Sequence, residues 1–332
     1  STTLIQALRN MVTIFTRYYS SLGRMLEKYL NLLILCICQE NDTIARIGRL
    51  CLHSILIENA KSFEAKQWAQ ITSAFASLFD LTTADELFAK DPLNKGNQSD
   101  LDLSNTEEVN GGLDVNSPIL VETEKRLKKL KEKLTIVVKC VLQLLMIETL
   151  SEIFENEVFY ENIPYEYLIK LANFLSRSYN FAKTFNDDYD LRVRLFNAGI
   201  IERLPNLLKQ ELSLSAVYIN VLFRMYCDDE KTNDEQKQDI IEKLVPMSEI
   251  IVSRYAQFDE QNQQRNLTTW RPVVVEIFQG YVELDDGDFV EHSVKMYKLC
   301  LKLLAKLLPP ELRIAMKVFL SRVGDLFVYG KK

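Results

Sequence analysis

Histidine is nearly missing from this chain: two occur in 332 residues, His53 and His292. Two isolated imidazoles build no Ser/His/Asp grouping and leave little acid–base chemistry near neutral pH. His53 lies between apolar Leu52 and Ile55 on a helical pattern and reads as a packed structural residue. Glycine (10) and proline (8) are also few, which disfavours a chain of many β-turns. No glycine-rich phosphate loop is present, because Gly111-Gly112 has no Lys-Ser/Thr pair after it.

Metal signatures fail in the same way. Cys36-x-Cys38 sits in a leucine-rich run with no further ligand nearby. Asp285, Asp286 and Asp288 surround Gly287 but lack the alternating ligands and terminal Glu of a calcium loop, so they read as a helix cap. No cofactor is implied. The six cysteines, Cys36, Cys38, Cys51, Cys140, Cys227 and Cys300, are dispersed through apolar helical faces, which predicts buried free thiols in a reducing, cytosolic compartment. Long hydrophobic runs are absent too. The most apolar window, Tyr29–Cys38, is about half the length a spanning helix needs and reads as a buried core helix. Residues 1–10 carry no secretory pattern. A net charge of −6 argues against a general nucleic-acid binder.

What is present is helix, almost without interruption. Leu4, Ile5, Leu8, Met11, Val12, Phe15 and Tyr19 mark one amphipathic face, and a second helix is expected from Leu22 to Gln39. Asn41-Asp42 caps a third, carrying Ile44, Ile47, Cys51, Leu52 and Ile55. A fourth starts near Ser62–Glu64 and carries Trp68, Ile71, Phe75 and Phe79. Two such pairs, each of about 40 residues, have the period of HEAT and armadillo units. The expected fold is all-α, a HEAT/armadillo-like α-solenoid of about twelve helices.

Residues 90–118 change character abruptly. They are rich in Asn, Asp, Ser and Gly and have no apolar period, which predicts a disordered polar insertion, a plain loop or a regulatory segment. The expected organisation is therefore residues 1–89, the insertion, and residues 119–332 continuing one solenoid. Residues 119–156 read as one long helix that opens on Lys125, Arg126, Lys128, Lys129, Lys131 and Lys133. That run admits a phospholipid-facing patch, but interleaved Glu122, Glu124 and Glu132 favour a solvated helix face. Pro164, Pro205, Pro246, Pro272 and Pro309-Pro310 are each expected at the first turn of a helix, where a missing N–H costs nothing.

Residues 177–229 hold a specific order of segments: FAKTFN, then LFNAG, PNLLKQE and LFRMYCDD. That order resembles the far C-terminal region of the large brefeldin-A-sensitive guanine-nucleotide exchange factors for Arf GTPases, the Golgi Sec-seven/BIG class. Residues 41–80 and 308–327 extend the resemblance to roughly two-thirds of the chain. The family's catalytic glutamate motif, Phe-Arg-Leu-Pro-Gly-Glu, does not occur here.

The resemblance implies a non-catalytic C-terminal regulatory domain whose parent loads GTP onto Arf at the trans-Golgi network for vesicle budding. It implies autoregulation, dimerisation, and recruitment by membrane-bound Arf, Arl or Rab GTPases at peripheral Golgi membranes. The alternatives are a helical scaffold of a related Golgi protein without an exchange domain, and a direct lipid-binding module acting through the lysines of 125–133. Between residues 181 and 211, aromatic, basic and polar groups alternate. The candidate partner-binding residues are Phe181, Lys183, Phe185, Asn186, Asn206, Lys209 and Gln210. Equally, the polar members of that set can serve to fix turns and caps.

Overall fold

In the computed structural model the described residues are 2–90, 125–128, 131, 134–200, 206–259 and 261–328. The fold class is all-α, and no strand occurs among the described residues. The chain divides into two compact units, Ser1–Ser213 and Leu214–Lys332.

In the first unit the helices are α1 (Thr2–Arg17), a one-turn α2 (Tyr19–Leu22), α3 (Leu26–Ile37), α4 (Asp42–Asn59), α5 (Ala65–Thr82) and the short α6 (Glu86–Ala89). They are followed by α7 (Ile136–Glu155), α8 (Glu157–Asn162), α9 (Tyr165–Asp187) and α10 (Tyr189–Asn197). Helix α11 (Leu208–Tyr226) starts in this unit.

Local chemistry sets these boundaries. The Asn41 side chain accepts from the Ile44 amide at 3.1 Å and so starts α4. Glu64 and Gln67 form a capping box at the start of α5. Helix α4 buries Ala45, Gly48, Cys51, Leu52, Ile55 and Leu56, and each fully buried aliphatic side chain contributes about 1.5–3 kcal/mol. Gly48 lets α3 and α4 approach closely, since a Cβ there would stand 3.0 Å from Cys36 Cβ and 3.1 Å from the Ile37 amide nitrogen on α3.

Helices α4 and α5 both pack against α7, and α9 packs on α5. A ladder of aromatic rings runs Phe15–Tyr19–Phe63–Trp68–Phe159 at centroid spacings of 5.6, 5.8, 5.0 and 5.3 Å. Beside it Arg49, though buried, donates to Thr149 at 3.1 Å and pairs with Glu152, joining α4 to α7. His53 faces the same Glu152 at 3.7 Å.

The second unit contains the rest of α11 with α12 (Asp234–Gln257), α13 (Gln264–Val282), α14 (Asp286–Leu304) and α15 (Pro310–Val323), which ends in a π-turn at Gly324–Val328. Asn233 and Gln236 form the capping box of α12. Phe319 of α15 meets Phe278 and Phe289 at 5.5 Å and Tyr281 at 6.3 Å. The Arg322 guanidinium lies 4.4 Å over Phe289 and donates to Asp286 at 2.8 Å. Each unit holds one of the two tryptophans, and Trp68 and Trp270 are both buried.

Several expectations are corrected. Pro246 and Pro272 lie inside α12 and α13 and do not start them. Both prolines are exposed, as are Glu242 and Thr268, whose carbonyls lose an amide partner, so water can take up the freed carbonyls. Pro164 and Pro309-Pro310 do stand at helix starts, while Pro205 is outside the described residues. The long helix expected over 119–156 is interrupted. Residues 125–128 are helical, but Thr135 is extended (φ −73°, ψ 156°) and its side chain accepts from Val138, starting α7 afresh. The expected second helix resolves into α2, a 3-10 turn and α3. All six cysteines are free thiols, yet Cys227 is exposed and Cys36 and Cys140 are only half-buried. The polar insertion lies outside the described residues beyond Lys90.

Candidate functional site

Helix α7 is apolar around most of its circumference, which leaves Val137 (66%) and Val141 (47%) exposed one turn apart near its N-terminus. They line a groove of about 270 Å³ together with Leu87, Leu144, Asn206 and Lys209. Four of these six side chains are exposed on the rim or wall: two valines, an asparagine and a lysine.

The groove is held in shape by buried polar contacts. The Lys139 ammonium, fully buried, pairs with Glu86 and fixes α6 against α7. Gln210 donates through its side chain to the Cys140 carbonyl at 3.2 Å, drawing the first turn of α11 onto α7. Asn186 accepts from the Leu207 amide at 2.7 Å and donates to Glu211 at 2.8 Å. That residue thus caps the start of α11 from the end of α9. Phe88 on α6 meets Phe181 and Phe185 edge-on at 5.3 and 5.9 Å, which holds Leu87 into the groove.

Chemically the groove offers apolar surface and one cation. Burial pushes the Cys140 thiol up from its ordinary value, only partly countered by Gln210, so the thiol stays protonated. Among the described residues no group of three His, Cys, Asp or Glu is placed to hold a metal ion. No helix among them is long and apolar enough to cross a membrane.

The seven sequence candidates therefore divide. Phe185, Asn186 and Gln210 are buried and engaged as supports. Phe181 is half-buried against Phe88, and Lys183, half-buried, pairs with Asp187 one turn on. Asn206 and Lys209 are exposed at the groove. Lys131, from the basic run at 125–133, bridges Asp80 at 3.2 Å and Asp85 at 2.8 Å. Burial alone would lower its pKa, but these two carboxylates raise it above the usual lysine value. Lys129 and Lys133 lie outside the described residues. Sequence reading missed Val137 and Val141, since a helix apolar on nearly every face does not reveal which valines remain outside.

The described residues are all-α, and this groove joins apolar walls to a lysine at its rim. The sequence model described as the BIG2 C-terminal domain matches residues 141–321. The chain belongs to that family, and the region it matches is a C-terminal part of large Sec-seven/BIG exchange factors.

Among its relatives, the ADP-ribosylation factor guanine nucleotide-exchange factor SEC7 of Saccharomyces cerevisiae is 41% identical over 398 residues, covering 99% of this chain and 20% of that protein. The exchange factor sec72 of Schizosaccharomyces pombe is 33% identical over 339 residues, covering 99% and 18%. Human brefeldin A-inhibited guanine nucleotide-exchange protein 1 is 23% identical over 388 residues, covering 98% and 21%. The chain thus spans about a fifth of the length of the relatives it matches.

Proposed function

We infer that this chain is a non-catalytic regulatory region of an Arf guanine-nucleotide exchange factor, acting at trans-Golgi network membranes in vesicle and protein transport. The carrying observation is its membership of a C-terminal domain family whose relatives are named as exchange factors for ADP-ribosylation factors, joined to its span of a fifth of their length. Exchange itself belongs to another part of the parent, because the glutamate motif of the exchange domain is absent from this sequence.

The helices form a HEAT/armadillo-like array in this reading, continuous across the insertion. Its roles are autoregulation, dimerisation and recruitment to peripheral Golgi membrane by an Arf, Arl or Rab GTPase. The groove edged by Val137, Val141, Asn206 and Lys209 is the GTPase-facing surface, with Phe181, Phe185, Asn186 and Gln210 holding it in shape and Lys183 at its periphery. An apolar centre with a peripheral cation suits the mixed apolar and acidic surfaces of GTPases.

The test has two arms. GDP release from Arf is measured with the chain alone, and no acceleration is expected. Pull-downs on GTP-loaded Arf, Arl and Rab proteins are then compared for the native chain and Val141→Asp/Lys209→Glu. Selective loss of binding in the variant, with an unchanged melting temperature, supports the reading. Equal binding by both forms removes the groove from it, and accelerated GDP release removes the non-catalytic assignment.

A further inference from the structure

Helix α14 carries two parallel seams. Phe289, Ser293, Met296, Cys300 and Leu303 are buried in the second unit. One residue further along at each step lie Val290, Val294, Tyr297, Leu301 and Leu304, exposed by 41, 50, 36, 46 and 49%. Both sets advance by four, three, four and three residues. That is the 3.5-residue repeat of a coiled-coil seam, and the outer one runs about 21 Å along the helix. Scattered exposed apolar residues need no explanation, but five in heptad register form a continuous strip of the kind a partner covers.

Charge along the strip selects the partner. Lys298 and Lys302 stand exposed on the side of the strip away from the buried seam and make no ion pair among the described residues. Lys295, on the same side, reaches Glu249 of α12 at 3.3 Å. After Glu291 the helix has no carboxylate. The strip therefore combines heptad apolar positions with a basic flank, which an amphipathic helix with acidic flanking positions complements.

A second copy of this chain fits less well. Two-fold pairing about Tyr297, the middle of the strip, sets Lys298 of one copy beside Lys298 of the other, and only Glu291 offers a counter-charge. A lipid bilayer also fits less well, because the lysines border one edge only while the other edge meets the body of the unit.

We propose that the outer seam of α14 is a docking site for an acidic amphipathic helix, packed with Val290, Val294, Tyr297, Leu301 and Leu304 as in a coiled coil and oriented by Lys298 and Lys302. This surface is separate from the groove on α7, and the inference stands without the GTPase reading.

The experiment titrates the full chain into a fluorescein-labelled three-heptad peptide with Val at a, Leu at d and Glu at e and g. A matched peptide carrying Lys at e and g is the control. Saturable binding of the acidic peptide is expected, with much weaker binding of the basic one. Lys298→Glu/Lys302→Glu should weaken the acidic peptide by about tenfold and favour the basic one, and Val294→Ser/Leu301→Ser should abolish binding of both. All four side chains are exposed, so circular dichroism should match the native chain.

No binding of either peptide overturns the proposal, as does equal binding of both with no response to charge reversal. Sedimentation showing a dimer that Val294→Ser/Leu301→Ser dissociates would assign the strip to a second copy instead. Flotation with phosphatidylserine vesicles, lost in the same variant while peptides fail to bind, would assign it to membrane.

Discussion

The side-chain amide of Asn186 donates to the carboxylate of Glu211 across 2.8 Å of buried space. These two residues sit in the FAKTFN and PNLLKQE segments, twenty-five positions apart. The contact explains why polar residues recur in stretches whose apolar positions already account for packing. Asn186 also accepts from the Leu207 amide at 2.7 Å, so one side chain both caps α11 and satisfies a buried acid.

Asn186→Leu should therefore lower stability by about 1–3 kcal/mol, the cost of leaving a buried carboxylate and a helix-terminal amide short of a partner. Thermal melts followed by circular dichroism will measure it. An unchanged melting temperature would show that water replaces both contacts.

His53 gives the first unit a dependence on pH. Burial lowers its pKa below the ordinary 6.5, and the nearby Arg49 lowers it further, with Glu152 acting in the opposite sense. A histidine depressed in the folded state is neutral there while the unfolded chain takes up the proton first. Its contribution is thus complete above about pH 6.5 and declines as pH falls through and below that value. His53→Gln should flatten the fall in melting temperature between about pH 7 and pH 5 relative to the native chain. Parallel curves would exclude His53 as the source.

Pro246 interrupts the hydrogen-bond ladder of α12 on its exposed side. Pro246→Ala restores an amide that reaches the Glu242 carbonyl, and it should raise stability by about 1–2 kcal/mol after the greater freedom of the unfolded chain is set against it. Guanidinium titration should show a higher midpoint at unchanged slope; a lower midpoint would mean that the proline sets a bend the packing needs.

Gly280 on α13 allows the Phe223 ring of α11 to close directly on its backbone, and a Cβ there would stand only 2.4–2.5 Å from three of the ring carbons. Gly280→Ala should therefore destabilise by about 1–3 kcal/mol, although alanine is the better helix former by about 1 kcal/mol. Loss of near-ultraviolet signal alongside the lower melting temperature would mark displacement of aromatic rings. A gain in stability would show that Phe223 moves aside freely.

Much of the helical layout was legible because its signals are local. Asn41 announces α4 and the segment Ser62–Glu64 announces α5, and the apolar periods of both helices are the faces they bury. Pro246 and Pro272 were misread because tolerance of a mid-helix proline depends on which side of the helix faces water, a tertiary property. Among the candidate site residues, Asn206 and Lys209 are accessible while Asn186 and Gln210 are internal, although all four occur in similar polar stretches around helix ends. Side-chain chemistry alone does not separate an exposed amide from one that reaches Glu211 or the Cys140 carbonyl. The valines of the groove and the outer seam of α14 share that difficulty, since an apolar residue spaced for burial looks the same whether or not its partner belongs to the chain.

The placement of one buried tryptophan in each unit gives the molecule an optical address for each half. Trp68 is enclosed by the rings of Phe63 and Phe159, whereas Trp270 lies 5.8 Å beneath the Arg254 guanidinium. The two indoles therefore emit from different surroundings, one aromatic and one beside a cation. With either one replaced by Phe, the remaining emission tracks a single unit, and two denaturation curves show whether the halves melt as one cooperative block or in sequence.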